Sequence, residues 1–478
     1  MAVESNGVVP KPTEYNTATD AQPKQIPVDN HCDAVSETST VAYEHEPFET
    51  FQHKVAELMA DKFGCNRASV RTEHIKGGAY NRVIGLEVRS LETKRNSCLN
   101  WVQKLLRKLM GKPASQAYVV RMQRGDTGDM DGQVATLKML HDARLPFLTP
   151  QVVHYDLSSD NVLEKAYMVQ NRIPGKQVLQ LLDTMNFEQK KAILHQVVLL
   201  VNRITSIEAA PGNMSAKYLT HPSIEAMHVD KIAASEEYEG SSTIKKSVDH
   251  LLEVIEMRRQ CQIKDNFCFY DIWDGFTTIC KSLQARGFLE GPSVLVHNDL
   301  QPYNLLAEVI DTSTVGITGV IDWDDAYFAP KVMALRSPFW LWTSDEDGTS
   351  DDHQLEKTAM IEPANENDRL LRRLFLEIAS EEYKRFAFCP EAILARRMYH
   401  YLRSGIHSQW EAMPAEEIIR EWNELHPEDH AKVGKGYFNA DGTMKEGAYE
   451  KCANWGDSDD ESVEDDQEDG QEEDKESV

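Results

Sequence analysis

Two short stretches constrain this chain more than its length does. Val294-Leu295-Val296-His297-Asn298-Asp299-Leu300-Gln301-Pro302-Tyr303-Asn304-Leu305-Leu306 is followed, after a turn, by Gly319-Val320-Ile321-Asp322-Trp323-Asp324. One apolar run leads into His297 and Asp299, Asn304 opens a second, and a third ends at Asp322. The segments Leu305–Ile310 and Val315–Ile321 flank Asp311-Thr312-Ser313-Thr314, a cluster of turn residues, and this predicts a β-hairpin. The midpoint of 304 and 322 is 313, inside that cluster, so Asn304 and Asp322 are expected to face each other at the open end. An amide oxygen beside a carboxylate suits Mg²⁺, which takes hard oxygen ligands and keeps waters and phosphate oxygens in its other positions. Asp299, one short loop away, is placed to accept a proton from a hydroxyl that meets a γ-phosphate. His297 is expected to orient that loop. Asp and Asn also turn loops without doing chemistry; the strands on both sides and the closing of the hairpin weigh for the chemical reading.

Together, His297-Asn298-Asp299 through Asn304 and Ile321-Asp322-Trp323 resemble the catalytic loop and metal-binding motif of the aminoglycoside phosphotransferase-like family, over roughly residues 50–345. The resemblance implies an α+β, two-lobed protein-kinase-like fold, with a small β-rich N-lobe and a larger, mainly helical C-lobe. It implies a catalytic base at Asp299, Mg²⁺ ligands at Asn304 and Asp322, and ATP or GTP as the phosphate donor.

The N-terminal half fits the same plan. Lys76-Gly77-Gly78-Ala79-Tyr80-Asn81-Arg82-Val83, between two strand candidates, resembles the family's phosphate-covering loop. Gly77 and Gly78 would let backbone N–H groups approach phosphates, with Asn81 closing the loop. Arg121, on the strand Tyr118–Met122, stands where the family carries its nucleotide-binding Lys, and Gln133 where it carries the Glu that pairs with that Lys. Arg can still hold phosphate oxygens bidentately, whereas Gln133 offers hydrogen bonds in place of an ion pair. Met168–Arg172 resembles the interlobe hinge, so Met168 and Gln170 are expected beside the adenine edge.

Periodicity supplies the organisation. Phe48, Phe51, Val55, Leu58 and Met59 predict a helix over 47–63, and Ile193, Leu194, Val197, Val198, Val201 and Ile204 predict another over 187–207. The resulting division is a disordered leader (1–45), the nucleotide-binding lobe (46–172) with a basic insertion (90–116), the helical lobe (173–425), an extension (426–455) and an acidic tail (456–478). The tail carries 13 acidic residues and one lysine, too much like charge to offset the entropy of ordering. Within the insertion, Trp101 to Met110 is basic and amphipathic; it reads as a solvated helix or as a contact for a partner or membrane surface.

The formal net charge of −27 disfavours nucleic-acid binding, which depends on clustered Lys and Arg. None of the eight cysteines forms a CxxC pair, so zinc is not expected and the thiols read as reduced. With no apolar stretch of about 18 residues and no presequence composition, a cytoplasmic location without a transmembrane segment is expected.

The acceptor is a small-molecule hydroxyl in this reading. Phe267, Phe269, Tyr270, Trp273, Phe276, Tyr327, Phe328, Phe339, Trp340 and Trp342 either fill a helical core or wall a site for a cationic acceptor through cation–π contact. Asp324 and Asp325 could draw the same cation. Trp323-Asp324 stands where protein kinases carry Phe-Gly, which favours a small acceptor over a protein. The alternative is a catalytically weak pseudokinase serving as an interaction scaffold, a reading that Gln133 leaves open.

Overall fold

The computed structural model describes residues 45–75, 81–89, 115–124, 130–214, 216–220, 222, 246–264, 269, 271–343 and 352–434. The Gly77-Gly78 loop, the segment 94–112, the leader to residue 44 and the acidic tail lie outside the described residues. The chain divides into Met1–Phe51 and Gln52–Val478. Helix α1 (Phe48–Lys62) begins in the first unit, and everything below concerns the second.

A five-stranded antiparallel sheet comes first, with β1 (Val70–His74), β2 (Asn81–Arg89), β3 (Ser115–Gln123), β4 (Val152–Asp156) and β5 (Tyr167–Asn171) in the order β1-β2-β3-β5-β4. Helix α2 (Met130–Ala143) packs on it through Val134, Leu137 and Leu140, an apolar stripe at helical spacing. The helix predicted over 47–63 is α1, and the strand predicted at Tyr118–Met122 is the inner part of β3. Strand β5 lies between β3 and β4, pairing Met168 with Arg121 on one side and with Tyr155 on the other.

The C-terminal part is mainly helical. Strand β6 (Lys176–Gln177) leads into α3 (Val178–Leu182) and α4 (Phe187–Ile204), followed by β7 (Glu208–Ala209), β8 (Gly212–Asn213), α5 (Ser247–Lys264) and α6 (Ile272–Ala285). Next come β9 (Ser293–Val296), β10 (Leu305–Val309), β11 (Val315–Val320), β12 (Tyr327–Ala329) and α7 (Lys331–Ala334). Five helices close the described chain: α8 (Asp352–Thr358), α9 (Glu366–Ile378), α10 (Glu381–Phe388), α11 (Pro390–Ser404) and α12 (Gln409–Leu425). Trp273, Phe276, Phe328 and Trp422 are fully buried among them, so most of the aromatics singled out from sequence fill this core.

Helix α4 fixes the predicted hairpin. Its capping box, Asn186 with Gln189, also donates from Asn186 to the Thr312 carbonyl at 2.6 Å and from Gln189 to the Asp311 carbonyl at 2.9 Å. Two turns on, Gln196 donates to the Val315 carbonyl at 2.6 Å and accepts from the Ile317 N–H at 2.8 Å. One side-chain amide thus satisfies backbone groups on β11, the outer strand of its sheet, where unpaired groups would otherwise remain. On the other flank, Leu148 exchanges hydrogen bonds with Thr318 and Val320 at 3.2 and 3.0 Å. That approach is close: a Cβ on Gly319 would stand 2.5 Å from the Leu148 carbonyl oxygen.

Candidate active site

The hairpin closes one residue short of the expected register. Leu305 pairs with Val320, and the Ile321 N–H donates to the Asn304 carbonyl at 3.0 Å, so Asn304 faces Ile321 and not Asp322. The shift comes from the turn, since Val309 pairs with Val315 and the tip is centred on 312 and not 313; a bulge between Leu306 and Ala307, which leaves Thr318 without a pairing partner in the ladder, makes up half of that offset. The Thr318 hydroxyl is used elsewhere and donates to the Pro174 carbonyl at 2.6 Å. Asp322 therefore follows the last paired strand residues and takes a left-handed backbone, with φ of 65°. Asn298, beside the expected base, does likewise with φ of 44°. Backbone strain of this kind gathers at functional sites.

Asp299 and Asn304 are brought together. The Asn304 amide nitrogen donates to the Asp299 carboxylate and to the Asp299 carbonyl, both at 2.9 Å, and the Tyr303 hydroxyl donates to the other carboxylate oxygen at 2.7 Å. Asp299 is partly buried and its carboxylate is held at both oxygens. Both Asn304 bonds use the nitrogen, so its amide oxygen stays available as a ligand. Asp322 is about half exposed and spends one oxygen on Arg121. One amide oxygen and one accessible carboxylate are hard donors that fit Mg²⁺.

His297 is a tether. Its imidazole is buried, donates from Nε2 to the Ile321 carbonyl at 2.9 Å and lies edge-on to Trp323 at 4.5 Å. Burial holds the ring below the usual histidine range, against the opposing pull of the Ile321 carbonyl and of Asp299 and Asp322. A neutral ring with Nε2–H on the carbonyl joins the loop that follows β9 to the end of β11.

Arg121 is buried on β3 and reaches across to the hairpin. Its Nη2 lies 3.2 Å from Asp322 and closer still to Asp324. Asp324 also accepts from the Asn81 amide at 2.6 Å. Burial opposes the Arg121 charge, but Asp324 and Asp322 outweigh it and hold the guanidinium above its ordinary value. Burial likewise pushes the Asp324 carboxyl up, against Arg121. Gln133, in the first turn of α2, makes no hydrogen bond to Arg121; its buried amide oxygen has no partner among the described residues. The hydrogen bond expected from Gln133 is not made, and Arg121 is ion-paired with Asp324 and Asp322.

The hinge expectation shifts as well. Met168 and Gln170 sit in β5, whose backbone is paired on both sides, so neither offers a free edge to a base. The chain leaves the sheet at Arg172-Ile173-Pro174-Gly175, where Gly175 takes φ of 110° and approaches the Thr318 hydroxyl and the Ala307 carbonyl.

Beside Asp299 opens a cavity of about 490 Å³, walled by α5, the catalytic loop, Asp325, β12 and α11. Among its lining residues are Asn298, Tyr327, Arg336, Arg396, Tyr399 and Arg403. Sequence reasoning had Tyr327 as a candidate wall residue but did not find the three arginines, Tyr399 or Tyr303. For Tyr303 the signal was its place inside the catalytic motif; for the arginines of α11 nothing local could have pointed to them.

The phosphotransferase enzyme family model matches residues 106–366 of the chain. No curated protein matches it. Among solved structures, a point mutant of aminoglycoside 2'-phosphotransferase-IIIa in complex with GDP is 13% identical, with 78% of this chain and 98% of that chain covered and a TM-score of 0.42. A thermostable mutant of aminoglycoside phosphotransferase APH(4)-Ia, in ternary complex with ADP and hygromycin B, is 15% identical, with 77% and 98% covered and a TM-score of 0.42. No described helix is long and apolar enough to cross a membrane.

Proposed function

The chain belongs to the phosphotransferase enzyme family, and from that premise we propose that it transfers the γ-phosphoryl group of ATP or GTP to a hydroxyl of a small-molecule acceptor. The observation that carries this reading is Asp299, fixed by Asn304 and Tyr303 and lining a cavity large enough for such an acceptor. The acceptor oxygen attacks the γ-phosphorus, the bond to the β–γ bridging oxygen breaks, and Asp299 takes the hydroxyl proton. Arg121 supplies the fixed positive charge beside the metal motif, in a pocket where such charges count for more than in water. A divalent cation, when bound, would neutralise phosphate charge, and Asn304 and Asp322 are the residues that would hold it. The adenine or guanine edge would meet the backbone about Ile173, between Arg172, whose N–H is still bonded to the Ala117 carbonyl of β3, and Pro174, whose carbonyl accepts from Thr318, and Gly77-Gly78 would cover the phosphates.

The test is a screen of hydroxyl-bearing metabolites for phosphorylation by the full chain with ATP or GTP. Asp299→Asn should lower turnover by about 10²–10⁴-fold while nucleotide still raises the melting temperature. Turnover that survives this substitution would remove the base assignment. Nucleotide binding with no turnover on any acceptor would leave the scaffold reading.

A further inference from the structure

Asn298, the residue before Asp299, holds a left-handed backbone, which a residue other than glycine keeps when its surroundings fix it. Both ends of its side chain are fixed. The amide nitrogen donates to the Asp325 carboxylate, and the amide oxygen accepts from the Tyr327 hydroxyl at 3.2 Å. Burial pushes the Tyr327 phenol up to about 12, so it keeps the proton it donates. Asp325, which the sequence offered to a cationic acceptor, is thus engaged within the chain.

Arg403, in the last turn of α11, holds both of these partners. Its guanidinium donates to the two Asp325 oxygens, from Nη1 at 2.9 Å and from Nη2 to the other oxygen. More than half of the Asp325 side chain is exposed, so one hydrogen bond would leave it turning; the paired fork sets its plane. The same guanidinium lies over the Tyr327 ring, 4.1 Å from its centre, and Tyr399 of α11 stacks on that ring at 5.3 Å. Burial opposes the Arg403 charge, and the Asp325 hydrogen bonds outweigh it.

We infer that Arg403 is a positioning residue for Asp299: through Asp325 and Tyr327 it fixes Asn298, and the Asn298 backbone sets where the Asp299 side chain starts. Tyr303 and Asn304 orient the carboxylate itself, and Arg403 acts one residue upstream, on the chain that carries it. Its part in turnover rests on the phosphotransferase reading; the clamp on Asn298 does not.

The experiment is a double-mutant cycle between Arg403 and Asn298 in the full chain, with Asn298→Gly as the second change, because glycine keeps a left-handed backbone without support. Two readouts are followed. One is urea unfolding; the other is the part of ATP hydrolysis with Mg²⁺ that Asp299→Asn abolishes, in which water takes the phosphoryl group and no acceptor contact enters. Arg403→Ala alone should lower kcat by roughly tenfold to 10²-fold, with KM for ATP little changed. In the Asn298→Gly background the same change should cost several-fold less in kcat. It should also raise the unfolding equilibrium constant there by a factor about three times smaller than in wild type. Should Arg403→Ala fail to fold, Tyr327→Phe, which removes only the hydrogen bond to the Asn298 oxygen, takes its place in the cycle. Equal losses in both backgrounds, or a loss confined to KM, would overturn the inference. With no hydrolysis that depends on Asp299 and no transfer to any screened hydroxyl, the phosphotransferase reading fails, and the unfolding cycle alone decides the clamp.

Discussion

Arg121 Nη2 lies 3.2 Å from Asp322 Oδ1, so the cation on the N-terminal sheet is joined directly to the carboxylate at the end of the hairpin. Two residues on, Asp324 completes the contact and takes the Asn81 amide as well. Breaking a buried pair strands a charge, at a cost of roughly 3–5 kcal/mol. Asp324→Ala should approach the lower end of that range in urea unfolding, because Asp322 still faces the guanidinium. Nucleotide affinity should fall in the same variant, since Arg121 loses its anchor. Gln133→Ala should leave affinity close to wild type, because Gln133 does not touch Arg121; an equal loss in both variants would contradict the assignment of Asp324 as the partner of Arg121.

Tyr303 gives a finer test of how Asp299 is held. Its hydroxyl donates to one carboxylate oxygen at 2.7 Å while Asn304 holds the other. Tyr303→Phe removes one hydrogen bond to a charged group, worth about 1.5–3 kcal/mol. A roughly tenfold or larger fall in kcat is expected, with little change in nucleotide affinity. An unchanged kcat would show that Asn304 alone suffices to orient the base.

Much of this was legible beforehand, and the misses have physical causes. The hairpin was readable because its turn residues and flanking apolar runs are local. Its register was off by one because the turn is centred on 312, with Val309 opposite Val315, and a bulge at Thr318, which leaves no mark in the apolar pattern, makes up only half of that offset. Arg121 was placed correctly on its strand, but its partner was sought on the following helix. Nothing in the spacing says that Asp324, about two hundred residues away, fills that role. The same limit hid part of the cavity wall: Arg396 and Arg403 reach the cavity on α11, brought there by packing of the helical part.

Gly319 joins the two parts of the site through backbone contact. A Cβ there would meet the Leu148 carbonyl oxygen at 2.5 Å and the Ile173 side chain at 2.9 Å. A carbonyl held by its own hydrogen bond to the Val320 N–H cannot easily give way. Gly319→Ala should cost about 1–3 kcal/mol by overpacking. It should also weaken nucleotide binding, because Ile173 belongs to the segment where the base is expected to dock. Full stability and affinity in this variant would show that the contact between Leu148 and β11 yields more readily than its geometry implies.

His297 predicts how stability responds to acid. Its unfolded pKa is near 6.5, and burial holds the folded value lower. The folded state therefore prefers the neutral ring. This contribution is fully present above about pH 6.5 and is lost as pH falls below it toward the folded value, because the unfolded chain takes up the proton first. His400, depressed by burial and by Arg403, acts with the same sign. His297→Gln can still donate to the Ile321 carbonyl but cannot titrate. Urea unfolding at pH 7.5 and 5.5 should show a smaller drop in the variant than in wild type, even if the variant is the less stable of the two at pH 7.5. Equal drops would mean that the imidazole is protonated in the folded protein, and the neutral tether between the catalytic loop and β11 would have to be abandoned.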